Sequence, residues 1–225
     1  GGDAKQLSLT HCFPKMADME HTYGSLFKAL LAKKRENKNA SAMGPSGVLT
    51  SFKEGIHVLP ATAAHQLDGV VRTGVRVNAL RQTKSGYTIT TDSGESFDTK
   101  SIVVALPTHI AAGICAPLDR HLANALQAIP YAHMAVVCTA YPREAVGNPL
   151  DGFGFLIPRS EKLRALGCLW TSSLFPTSAP DGTVLLRTMF GGYNDPDAVS
   201  LTDEELLDLV DREIHPLLEI KGKPD

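Results

Sequence analysis

Residues 152–192, GFGFLIPRSEKLRALGCLWTSSLFPTSAPDGTVLLRTMFGG, limit the fold more than any other part of the chain. Three segments carry branched or aromatic residues between Gly, Pro, Ser and Asp punctuation. That pattern predicts strands over 152–157, 166–171 and 184–190. In the first, Gly152 and Gly154 alternate with Phe153 and Phe155. Glycine inside a strand marks a bulge or the close approach of another backbone or a flat ligand. Two readings stay open: a meander packed on its own core, or a sheet that leaves room for something wide and apolar.

The rest of the chain bounds the class of protein. With 225 residues and 43% hydrophobic content it is long enough to bury a core, as one large domain or two small ones. A net charge of -2 and a pI near 6.5 give no broad basic field, which argues against nucleic acid as a partner. Cys12, Cys115, Cys138 and Cys168 are scattered without a close pair, as expected for reduced thiols of a cytoplasmic protein. No apolar run approaches the roughly 20 residues that span a bilayer. The chain starts at Gly1 without Met and stops soon after an apolar helical pattern, so its edges are either trimmed or cut through a longer protein.

In chain order, Phe13, Met16, Met19, Tyr23, Leu26, Phe27, Leu30 and Leu31 recur at spacings of three and four, predicting an amphipathic helix within 7–31 with Pro14 in a first turn. The basic run 33–39 breaks that pattern, and Gly44, Pro45, Ser46 and Gly47 read as a loop. A short helix is expected from near Gly55, with Leu59, Ala63, Ala64 and Leu67 as its stripe. Strands follow over 74–80 and 86–91, with a turn at Asp92, Ser93 and Gly94. The nearly continuous apolar run SIVVALP reads as a strand over 101–106 covered on both faces. A helix with Leu118, Leu122, Ala125, Leu126 and Ile129 on one face leads to a strand over 134–141. Thr202 and Glu205 form a capping-box signature before Leu206, Val210 and Ile214, with Pro216 ending or kinking that helix. The expected class is mixed α/β.

The search for chemistry is mostly one of elimination. There is no G-x-S-x-G elbow, no H-E-x-x-H pair and no metal-ligand cluster, and Gly152, Phe153, Gly154 runs into a strand rather than a dinucleotide-binding helix. No catalytic acid, base or nucleophile stands out, and composition and spacing alone disclose no reaction.

Taken together, GFGFLIPRSE, LGCLWTSSLFPTSAPDGTVLLRTMFGG, SFKEGIHVLP and GGDAKQLSLTHCFPKM resemble the protoporphyrinogen oxidase family, within the wider flavin amine oxidase fold. The resemblance covers nearly the whole chain in the family's order. It implies FAD-dependent oxidation of protoporphyrinogen IX to protoporphyrin IX, with hydride passing to the flavin and oxygen reoxidising it. The cofactor then carries the chemistry and the protein supplies an apolar slot.

By position, Gly1 and Gly2 match a Gly-Gly pair in the wall around the tetrapyrrole, and Leu156 and Leu169 match residues that sandwich one ring of it. Met189 falls where plant relatives often carry a stacking aromatic residue, with Phe190 the neighbouring candidate one step away. Val77 matches the position whose backbone meets the adenine of FAD, and SIVVALP a structural strand of the FAD domain.

The resemblance further implies an internal portion of a longer enzyme: a helical membrane- and substrate-facing segment over 1–43, part of a FAD-binding domain over 44–116 and a substrate-binding domain over 117–225. The family's G-x-G-x-x-G turn is missing from these residues, so the chain alone is expected to hold FAD weakly or not at all. Oxidation of coproporphyrinogen III and a non-catalytic tetrapyrrole-binding module are the alternatives. Peripheral membrane contact, with the basic run 33–38 contributing, and a homodimer are further expectations.

Overall fold

The computed structural model describes residues 2–3, 5–36 and 49–224. Along the chain these form α1 (Leu9–Cys12), α2 (Pro14–Tyr23), α3 (Leu26–Glu36), α4 (Val58–Gln66), β1 (Val77–Thr83), β2 (Gly86–Thr91), β3 (Ser96–Thr99), α5 (Thr108–Cys115), α6 (Arg120–Gln127), β4 (Met134–Pro142), β5 (Gly154–Leu156), β6 (Ala165–Trp170), α7 (Thr171–Leu174), β7 (Thr183–Gly191), α8 (Asp203–Glu213) and α9 (His215–Leu218). Helices combined with antiparallel sheets are the mixed α/β class expected from the sequence. The chain divides into two compact units, one made of Gly1–Val58 and Ala132–Asp225, the other of Leu59–Tyr131.

The first unit is built on a four-stranded antiparallel sheet in the order β4-β7-β6-β5. Each strand predicted within 152–192, and the one over 134–141, lies within a residue or two of its expected place. Along β7, Val184, Leu186, Thr188 and Phe190 are buried while Leu185, Arg187 and Met189 are not, the period-two pattern of a sheet with one packed face. The packed face meets α8 and α9. Tyr141, Cys168, Leu186 and Phe190 share one core with Leu206, Leu209, Val210, Ile214 and Leu218.

The capping box holds: Glu205 N–H donates to Thr202 Oγ1 at 3.2 Å, and Thr202 N–H donates to Glu205 Oε2 at 2.8 Å. At the other end of α8, Glu213 accepts the backbone N–H groups of Arg164 and Ala165, tying the helix to the start of β6. Pro216 stands in the first turn of α9, so the chain ends one helix and begins another there.

The single helix expected within 7–31 is three helices. Pro14 opens α2 as predicted, but Phe13 before it is non-helical, and Gly24 adopts a left-handed φ of 74° that ends α2. Helix α3 also runs on to Glu36, through basic residues expected to end it. The loop expected at 44–47 lies outside the described residues.

The second unit holds the meander β1-β2-β3. Its two-residue β1–β2 connection and the turn at Asp92–Gly94 are formed, and the latter is fixed by Thr91 Oγ1 accepting the N–H of Glu95 at 3.1 Å. The run over 101–106 is not a strand, which corrects the sequence reading. Among the described residues no strand pairs with it, and Val103 is 92% exposed. Apolar character supplies a motive for burial but no hydrogen-bonding partner. Helix α6 also departs from expectation: its buried residue is Ala123, and Leu122 is exposed. The buried side chains of α5 are the small Ala111, Ala112 and Cys115. Among the described residues no helix is long and apolar enough to cross a membrane.

Candidate functional site: the open face of the four-stranded sheet

Strand register decides which residues share the face turned away from the core. Leu156 pairs with Gly167, Gly167 with Met189, and Met189 with Val136, so these four form one row across all four strands. The next row is Gly154, Leu169, Arg187 and Cys138. At roughly 4.8 Å between strands, each row is about 14 Å long. Three residues singled out from the sequence, Leu156, Leu169 and Met189, therefore lie on one face of one sheet. Leu156 is 77% exposed, Leu169 and Met189 are half-buried, and Met134 and Val136 at the β4 edge are exposed as well. Phe190, the neighbouring candidate, is fully buried on the opposite face, so the register selects Met189.

The glycines in these strands answer the question they raised. A Cβ on Gly154 would land on the Cys168 carbonyl oxygen, and one on Gly167 on that of Phe155, so both are needed for close backbone approach between β5 and β6. On the open face, however, Gly167 contributes no side chain between Leu156 and Met189. Gly167 itself is buried, and the Leu156 side chain lies 3.2 Å from where its Cβ would stand.

The electrostatics of the two faces differ. On the packed face, burial pushes the Cys168 thiol and the Tyr141 phenol above their ordinary values. Tyr141 Oη lies 2.9 Å from His215 Nε2, which is itself 3.1 Å from Asp211 Oδ1. On the open face the charge is that of Arg187, which is exposed, and among the described residues its guanidinium makes no ion pair. Among the described residues no group of His, Cys, Asp and Glu is placed to hold a metal ion.

Gly1 is outside the described residues. Gly2 is exposed, and Arg159, three residues beyond Leu156, donates to its carbonyl at 3.4 Å, which brings Gly2 to the β5 end of the sheet. Val77 is half-buried at the start of β1, opposite Thr91 and next to a register shift, in the second unit. No glycine-rich turn opens a helix among the described residues, so these residues do not fit the pyrophosphate of a dinucleotide. Sequence reasoning passed over Arg187 and Gly167. The signal for Arg187 was the lone cation in the otherwise apolar VLLRTMFGG.

Comparison with known proteins gives the family. Protoporphyrinogen oxidase 1 of Arabidopsis thaliana is 32% identical over 96% of this chain and 44% of its own length. The chloroplastic protoporphyrinogen oxidase of Nicotiana tabacum is 33% identical over 99% of the chain and 44% of its own. Coproporphyrinogen III oxidase of Bacillus subtilis is 27% identical over the whole chain and 48% of its own. The chain thus spans about half the length of the curated relatives it matches. In fold it resembles a crystal structure from Exiguobacterium sp. 255-15, with a TM-score of 0.79 at 20% identity over all of this chain and 46% of that one. Residues 1–225 match the family described as flavin containing amine oxidoreductase, and the chain belongs to that family.

Proposed function

We propose that this chain contributes one wall of the substrate site of an FAD-dependent porphyrinogen oxidase. The observation that carries the reading is the open sheet face, where strand register sets Leu156, Leu169 and Met189 together. A broad apolar macrocycle matches such a face, which is itself broad, mostly apolar and backed by a packed core that holds it rigid. The named relatives, protoporphyrinogen and coproporphyrinogen oxidases, support the same substrate class. Membership of a flavin-dependent family supports FAD as the oxidant.

In this reading the flavin supplies the oxidising chemistry when bound. The chain's own residues bind and orient the macrocycle and exclude water from one of its faces. The residues described here lack a pyrophosphate cradle, so FAD is held chiefly by other parts of a longer protein, with the Val77 backbone at its adenine edge. The substrate-binding segment of the proposal is 117–225, the helical segment 1–43 and the FAD-domain portion 44–116.

Turnover by the full-length protein tests this, followed by the fluorescence of the porphyrin product from protoporphyrinogen IX and coproporphyrinogen III. One of the two should be oxidised, and Leu169→Asp should raise its KM at least tenfold, because a carboxylate placed against the macrocycle is desolvated without a partner. Absence of turnover with both, in a flavin-loaded protein, would refute the reading.

A further inference from the structure

We infer that Arg187 is a specificity-determining residue that pairs with a carboxylate of the bound substrate, an assignment that rests on the proposed porphyrinogen site. The argument starts from its position. Arg187 stands in the second row of the open face, between Leu169 and Cys138, with Met189 two residues along its own strand. Two residues of strand are about 6.8 Å, so the guanidinium reaches the rim of anything lying over Met189.

A cation in the middle of an apolar face is costly once a ligand covers that face, unless the ligand brings its own counter-charge. Around Arg187 the neighbouring positions are Leu169, Cys138, Leu185 and Met189, and among the described residues no carboxylate pairs with it. Two of the chain's other arginines do find a carboxylate. Arg164 is held by Asp195 through two bonds of 2.8 and 2.9 Å, and Arg72 lies 3.6 Å from Glu95.

A porphyrinogen presents an apolar ring and ionised propionate side chains. The ring fits the row Leu156, Gly167, Met189 and Val136, and a propionate fits the fork of Arg187, which can donate two parallel N–H bonds to one carboxylate. The pairing would favour substrates that keep a free carboxylate on that side of the macrocycle. It would disfavour neutral analogues of the same shape, whose binding leaves the guanidinium covered and unpaired.

The test compares the full-length enzyme and its Arg187→Gln variant on protoporphyrinogen IX and its dimethyl ester. The quantity read is the ratio of kcat/KM for the acid to that for the ester. Because the ratio comes from one sample, loss of folded enzyme cancels. It should fall about tenfold in Arg187→Gln and less in Arg187→Lys, which keeps the charge without the fork. An unchanged ratio in Arg187→Gln overturns the assignment while leaving the porphyrinogen reading standing. Absence of wild-type turnover on any porphyrinogen removes both. A second measurement needs no variant: protoporphyrin IX should inhibit the wild-type enzyme at lower concentration than its dimethyl ester, and equal inhibition overturns the proposal.

Discussion

The described residues form two antiparallel sheets, and they differ in what covers them. In β4–β7 the inward residues meet a helix whose own inward residues are large, Leu206, Leu209 and Val210, followed by Ile214 and Leu218. In β1–β3 the fully buried residues are Leu80 and Thr91, and the helix packed nearest β1 buries Ala111, Ala112 and Cys115. A buried Leu, Ile or Phe contributes about 1.5–3 kcal/mol and an alanine methyl far less, so the first sheet rests on a core and the second mostly on its hydrogen bonds. A sheet secured on one side can leave its other side open to a ligand. The β1–β3 unit instead exposes Val103, Val104 and Ile110 over an extended run and a helix.

The sharpest way to break the contrast is to truncate one large apolar residue in each unit. Phe190→Ala should lower stability by about 3–5 kcal/mol, since it opens a cavity in the only large core described. Val103→Ala should change stability by less than about 0.5 kcal/mol. Urea unfolding by circular dichroism measures both, and Trp170, the single tryptophan, reports the first unit alone by fluorescence. Equal losses would mean that Val103 is buried in solution and that the contrast is false.

A glycine from each sheet gives the next largest difference. Gly154 has a φ of 131° and would drive a Cβ to within 2.8 Å of Leu169 Cα, so Gly154→Ala should cost about 2–3 kcal/mol. Gly94, in the β2–β3 turn at a φ of 85°, has no atom within 4 Å of such a Cβ, and the strained backbone alone should cost about 1 kcal/mol. The gap between the two midpoints in urea reads out how tightly β5 and β6 approach.

The smallest expected effect lies in the charge of the core. Burial raises the Tyr141 phenol above its ordinary value near 10, so the folded state holds that proton more tightly than the unfolded state. Stability from this source is complete below about pH 10 and is lost as pH rises through the folded value. Asp211, His215, Thr139 and Cys168 are the groups facing it. Tyr141→Phe should cost about 1 kcal/mol at pH 8 through its bond to His215 and should lose less stability than the wild type between pH 9 and 11. Parallel decline of the two proteins over that range would contradict the assignment.

How much of this was readable beforehand follows the same division. Strands β4 to β7 stood out because alternation, punctuation and a packed face all agree, and the capping box at Thr202 and Glu205 needed only local chemistry. The apolar run over 101–106 misled because burial on two faces depends on neighbours that no local pattern can name. The helix expected within 7–31 failed at single residues, Phe13 and Gly24, whose backbone angles override an unbroken spacing.

For the site, Leu156, Leu169 and Met189 came from resemblance. Their common face came from register, and period-two alternation cannot tell which of two faces will be packed. Arg187 was visible as a letter, but its isolation became apparent only when its cross-strand neighbours proved to be Leu169 and Cys138.

The two glycines between β5 and β6 also bear on how such a surface can change over generations. Because Gly154 and Gly167 are fixed by backbone approach, the floor of the open face cannot be reshaped by ordinary substitution there without forcing the strands apart. If the proposed site is right, variation in ligand shape falls to Leu156, Leu169, Met189 and Arg187, whose side chains the core does not use. A lineage can explore those four positions at small cost in folding, so binding preference is free to drift while the scaffold beneath it stays the same.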